Sequence, residues 1–143
     1  MYDEDDLIPI SALQHFAFCE RQWALIHLEC AWDENVLTME GRILHDRADD
    51  YGSETRKDLK IVRSLRLRSL KLGLSGKADV VEFHRVSSLE AGVENGSPGG
   101  MRIPGASGLW RPHPVEYKRG SPKIGRWDEI QLCAQALCLE EML

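Results

Sequence analysis

The run Lys77-Ala78-Asp79-Val80-Val81-Glu82-Phe83-His84-Arg85 constrains the fold more than any other stretch of the chain. It is dense in small and β-branched residues, as expected of a strand near the centre of a sheet. Asp79 lies inside it. A carboxylate buried there is costly unless it meets a cation or a good set of donors. The pattern alone leaves open a plainer reading, in which Asp79 ends the strand or pairs with Lys77.

A second stretch gives that carboxylate company. In an extended Pro114-Val115-Glu116-Tyr117-Lys118-Arg119-Gly120, alternate side chains point the same way. Val115 and Tyr117 are then expected to face a core, with Glu116 and Lys118 together on the opposite face. If Asp79 comes from a neighbouring strand, two carboxylates and one lysine converge, a common way to hold a hard divalent cation beside a polarised water. Standing alone, Glu116 and Lys118 read equally as alternating charge on a solvated edge strand.

The remaining elements follow from periodicity. Pro9 and Ser11 mark a helix entry, and Leu13, Phe16, Ala17, Trp23, Ala24 and Leu28 fit a helix over residues 11 to 29. Asn35 to Tyr51 gives a second helix, stopped by Gly52, with His45 near its apolar side. Leu65-Arg66-Leu67-Arg68 alternates with period two and Leu70, Leu72 and Leu74 continue it, with turns at Gly73 and Gly76. Residues 86 to 112 shift abruptly to Gly, Ser and Pro, with few apolar anchors beyond Met101, Ile103, Leu109 and Trp110, and are expected as a mobile loop. After the break at Ser121-Pro122, a last helix runs from Trp127 to the end. On it Trp127, Ile130, Ala134 and Leu137 supply the buried face, and Gln131 and Gln135, four apart, share a polar one.

This order predicts an α/β fold with a mixed sheet and helices packed on it. A length of 143 residues, 43% of them hydrophobic and 29% charged, suits a single domain spanning 1–143. The net charge of −5 speaks against coating nucleic acid through overall charge. A local basic face remains compatible with phosphate binding: Arg119, Lys123 and Arg126 crowd the link into the last helix, and Arg66, Arg68 and Lys71 could widen that surface. The acidic start, Met1-Tyr2-Asp3-Glu4-Asp5-Asp6, lacks the pattern of a secretory signal, and no apolar run approaches membrane-spanning length. A cytoplasmic chain with no membrane contact is expected. Cys19, Cys30, Cys133 and Cys138 are scattered, and buried free thiols are the default reading.

Taken in order, His45, Asp79, Glu116-Tyr117-Lys118 and Gln131-Leu132-Cys133-Ala134-Gln135 resemble the RecB-like branch of the PD-(D/E)XK nucleases. Ile10-Ser11-Ala12-Leu13-Gln14, Phe18-Cys19-Glu20-Arg21-Gln22-Trp23 and Gly41-Arg42-Ile43-Leu44-His45 are similar, more narrowly, to the CRISPR-associated exonuclease of that branch, the Cas-four family. The resemblance implies that His45, Asp79 and Glu116, with the backbone carbonyl of Tyr117, bind Mg²⁺ or Mn²⁺. Lys118 would position or deprotonate the attacking water, and Gln131 would orient the site or the DNA. It implies an exonuclease that trims single-stranded DNA or overhangs while new spacers are processed with the CRISPR integrase.

It further implies an iron-sulfur cluster with Cys19 as one ligand and three cysteines beyond the nuclease core. Cys30, Cys133 and Cys138 do not stand at those positions, and the strand that follows the last helix in this fold is expected to be missing. The competing reading is a truncated, non-catalytic nuclease-fold module that binds DNA or an integrase partner.

Overall fold

The computed structural model describes residues 1–31, 54–86, 100–118 and 125–143. The second expected helix, residues 35 to 51 with His45, lies outside the described residues. So does the basic pair Arg119 and Lys123.

Five strands form one mixed sheet around β4 (Leu74–Val86). β3 (Leu59–Ser69) pairs with it antiparallel and in turn carries the short β2 (Glu54–Arg56). The turn between β3 and β4 needs a left-handed residue, and Gly73 supplies it at φ 68°. Gly76, by contrast, is no turn: it lies within β4, where a Cβ would come within 3.1 Å of the Ile10 side chain. On its other edge β4 takes two partners in succession. β1 (Ile8–Pro9) runs parallel beside Leu74 and Ser75, and β5 (Leu109–Val115) runs antiparallel beside Val80 to Val86. Asp79 therefore stands where that edge of β4 changes neighbours.

The β3–β4 ladder bends at the same place. Its register puts Arg63 opposite Val80 and Leu65 opposite Ala78, so Ser64 faces Asp79. Ser64 adopts a left-handed φ of 54°, a conformation that costs a non-glycine residue about 1–2 kcal/mol. The bend shifts which residues face the core. On one side of it the core takes Leu65, Leu67, Leu74 and Ala78; on the other it takes Val62, Val81 and Phe83. A strict two-residue alternation would have put Ala78 and Val81 on opposite faces.

Three helices complete the described fold: α1 (Ile10–Phe18), α2 (Glu20–His27) and α3 (Trp127–Met142). The single helix expected over 11 to 29 is broken at Cys19, whose extended backbone (φ −163°, ψ 112°) ends α1 and starts α2. Edge-on ring contacts between Phe16 and Trp23, and between Phe18 and Trp127, explain how the apolar residues of that stripe pack on both sides of the break. α3 packs on α1 and across β3, β4 and β5, where Ala134, Cys138 and Leu139 join Ile10, Ala78, Val81 and Trp110 in the core. No helix among the described residues is long and apolar enough to cross a membrane.

The Gly/Ser/Pro region is partly structured, a correction to the loop expected over 86 to 112. β5 begins at Leu109, inside that range, and Met101 exchanges two backbone hydrogen bonds of 2.8 Å with Trp110. Ile103 and Trp110 are buried, and the Trp110 indole donates to the Ser107 carbonyl at 3.1 Å. The few apolar anchors in this stretch are enough to order its second half. Residues 87–99 lie outside the described residues.

Candidate functional site

β5 ends at Val115, paired with Val80, and the next residues on the two chains are Glu116 and Asp79. Asp79 is buried, and its Oδ2 accepts a hydrogen bond from the backbone N–H of Tyr117 at 3.2 Å. The Asp79 carboxylate thus lies against the peptide that joins Glu116 to Tyr117. Asp79 lies inside the central strand and is buried, so it does not end that strand.

The Glu116 side chain is only 5% exposed and its carboxylate is held at both oxygens. Oε1 accepts from Gln131 Nε2 at 2.7 Å and from Lys118 Nζ at 3.1 Å; Oε2 accepts from Gln135 Nε2 at 2.8 Å. Gln131 also accepts from Lys118 Nζ at 2.9 Å through its own Oε1. A third contact reaches the ammonium from α1, where Gln14 Oε1 lies 3.5 Å away while Gln14 Nε2 donates to Asp128 at 2.5 Å. An ammonium has three protons. Glu116, Gln131 and Gln14 supply three oxygens for them.

Two orientations differ from those expected. Tyr117 does not face the core: it is 47% exposed, while Glu116 turns inward. The chain leaves the strand at Val115, and the Asp79 carboxylate takes the Tyr117 N–H that a further ladder bond would have used. The last helix is rotated from its expected setting. Gln131, Ala134, Gln135, Cys138 and Leu139 form its buried stripe, while Ile130 and Leu137 face outward. The glutamines sit inside because Glu116 gives their amides an acceptor, which offsets the cost of burying them.

Gln14 and Gln135 are site residues that the sequence reading did not single out for a role. The signal for Gln135 was its spacing four residues after Gln131. Gln14 stood in the Ile10–Gln14 segment of the resemblance but drew no role, because its partners are more than a hundred residues away. Of the expected basic link, Arg126 is described: it is exposed and paired with Glu129 at 2.6 Å.

Of the metal ligands that the resemblance implies, the described ones, Asp79, Glu116 and the Tyr117 carbonyl, are oxygen donors, the type that suits a hard cation such as Mg²⁺ or Mn²⁺. Among the described residues no three His, Cys, Asp or Glu side chains gather around one point. This holds for the cysteines as well. Cys138 is buried, with burial first and then the Glu141 charge raising its pKa, whereas Cys19, Cys30 and Cys133 are exposed, against the default of buried thiols. The four thiolates an iron-sulfur cluster requires are not assembled by these residues. Beside the site, His15 Nδ1 lies 3.1 Å from His27 Nε2. Burial, then the His27 and Lys118 charges, lower the His15 pKa.

A mixed sheet that carries Asp79 on its central strand, Glu116-x-Lys118 at the end of the next, and paired glutamines on the following helix is the arrangement of a RecB-like nuclease fold. No model of a known protein family matches the chain. Over 145 aligned residues, covering 94% of this chain, it is 32% identical to the CRISPR-associated exonuclease Cas4/endonuclease Cas1 fusion of Geobacter sulfurreducens. The alignment covers 22% of that protein's length. This similarity supports a Cas4-like, CRISPR-associated nuclease as the class of the chain.

Proposed function

We propose that this chain is a metal-dependent deoxyribonuclease, an exonuclease that hydrolyses phosphodiester bonds in single-stranded DNA or overhangs as new CRISPR spacers are processed. The observation that carries this reading is the placing of Lys118 and Glu116 on one amide, that of Gln131, with the Asp79 carboxylate against the adjoining peptide. A relative whose name joins an exonuclease to the endonuclease Cas1 supports a role beside the CRISPR integrase.

Asp79, Glu116 and the Tyr117 carbonyl would hold Mg²⁺ or Mn²⁺, with His45 as a further ligand. The bound ion supplies a Lewis acid for the phosphoryl oxygen and lowers the pKa of water. Lys118 contributes a fixed positive charge where the phosphate gains negative charge, and its long 3.5 Å contact to Gln14 is the one it would give up to hold a water. Gln131 sets the spacing of the lysine and the carboxylate, since one amide binds both. Backbone contacts to DNA would come from Arg119, Lys123 and Arg126, in the link before α3.

The test is Mn²⁺-dependent cleavage of end-labelled single-stranded DNA. Lys118→Ala is expected to lower the rate by about a hundredfold or more, as removal of a preorganised charge-stabilising donor does. Cleavage unchanged in both Lys118→Ala and Glu116→Ala would remove this site assignment. A folded wild-type sample that shows no heat of Mn²⁺ binding would favour the non-catalytic module.

A further inference from the structure

Gln135 is costly to bury where it stands. It is 0% exposed, on the stripe that α3 turns toward the core, between Ala134 and Cys138. Its Oε1 is buried with no hydrogen-bond partner. A leucine or methionine there would bury as much surface without stranding a carbonyl, whose cost is about 1–3 kcal/mol. What the amide gains is one hydrogen bond, from Nε2 to Glu116 Oε2. The amide cannot be turned over without losing it.

The two glutamines divide the carboxylate between them. Oε1 of Glu116 is shared by Gln131 and Lys118, both of which also bond each other. Among the described residues, Oε2 has Gln135 alone. Without it, Glu116 could pivot about its remaining contacts toward the lysine. We infer that Gln135 is a positioning residue: it fixes the plane of the Glu116 carboxylate for the reaction, at a cost in core stability.

The inference rests on the nuclease reading only for its kinetic consequence. Its structural part stands on the Gln135–Glu116 bond. The test uses Gln135→Met, which keeps length and apolar volume and removes both the donor and the stranded acceptor. Loss of such an outer contact to a ligand costs ten- to a hundredfold in metal affinity or activity. Calorimetry is therefore expected to show Mn²⁺ bound at least about tenfold more weakly, with kcat reduced and KM for DNA unchanged. Thermal stability should change little or fall modestly, since the variant removes one stranded oxygen, Gln135 Oε1, and strands another, Glu116 Oε2.

A second measurement needs neither metal nor activity. In the wild-type background Gln135→Met removes a charge-assisted hydrogen bond along with the stranded acceptor. In the Glu116→Ala background it removes only unpaired groups and should stabilise more. Equal effects of Gln135→Met on unfolding in the two backgrounds, or Mn²⁺ affinity and kcat equal to wild type, would overturn the inference. If wild type neither binds Mn²⁺ nor cleaves DNA, the nuclease reading fails, and the unfolding comparison still decides whether Gln135 positions Glu116.

Discussion

Replacing Glu116 by Ala and by Gln separates two opposite views of a buried carboxylate. In the first, the carboxylate is a liability whose desolvation outweighs its contacts, and removing it stabilises the fold. In the second, its donors depend on it. The structure supports the second, because both oxygens are engaged by two buried amides and one ammonium. Glu116→Ala leaves Gln135, fully buried, with neither end of its amide bonded, and strands the Gln131 amide donor. Lys118 suffers less, since its side chain is 33% exposed and keeps Gln131 and Gln14 as acceptors. Two stranded buried amides at about 1–3 kcal/mol each, with a lost methylene at about 0.8 kcal/mol, place the cost at about 3–7 kcal/mol. That is a large part of the 5–15 kcal/mol typical of a domain. Glu116→Gln keeps the volume, and Gln135 can turn its amide so that Oε1 accepts from the new side chain. Only the charge on Lys118 loses its counterpart, at about 1–2 kcal/mol. Urea unfolding in EDTA, followed by tryptophan fluorescence, measures both. Equal stabilities for the two variants, or Glu116→Ala at or above wild type, would refute the dependence of the amides on Glu116.

Other consequences can be checked in the same preparations. His15 has a lowered pKa, so the unfolded chain takes up a proton before the folded one does. Its contribution to stability is full above the unbound value of 6.5 and is lost as pH falls below it toward the lowered value. Urea titrations at pH 7.5 and 5.5 should show that loss, and His15→Gln should reduce it. Ser64→Val, which forces a β-branched side chain into φ 54°, should be less stable than Ser64→Gly by about 1–2 kcal/mol. With a thiol reagent in non-denaturing buffer, Cys19, Cys30 and Cys133 should react and Cys138 should wait for unfolding; rapid labelling of all four would contradict the packing of α3.

Much of the scaffold could be read from the sequence because it is local. The central strand, the turn at Gly73 and the extent of the last helix each follow from composition or period over a dozen residues. The orientation of that helix could not be read this way. Counting Gln131 and Gln135 as polar selects Ile130 and Leu137 for burial, and the opposite is true because an acceptor for both amides arrives from fifteen and nineteen residues upstream. Tyr117 was misplaced for a related reason. Its expected inward face assumes that the strand continues, and β5 stops once Asp79 captures the Tyr117 N–H. The break at Cys19 lies within a stripe whose apolar residues serve two helices equally well.

The departures from local rules concentrate around two carboxylates, Asp79 and Glu116. Ser64 holds a left-handed backbone opposite Asp79, β4 exchanges β1 for β5 on the same edge, β5 ends at its pairing with Val80, and α3 buries two glutamines beside Glu116. Each of these costs stability, and none improves the core. A fold under selection for stability alone would continue the β4–β5 ladder and fill positions 131 and 135 with apolar residues. Strain and buried polarity that converge from separate segments are what a site requires when its groups must be held in place before any ligand arrives. The rigid part is the sheet, which fixes Asp79 and the end of β5. α3 then sets the angle of Glu116 through Gln135 and its distance from Lys118 through Gln131. This division explains why the charged pair alone says little about function. Glu116 and Lys118 on an ordinary edge strand would be solvated and free to turn, whereas here an aspartate from the central strand and two amides from α3 leave the carboxylate one orientation.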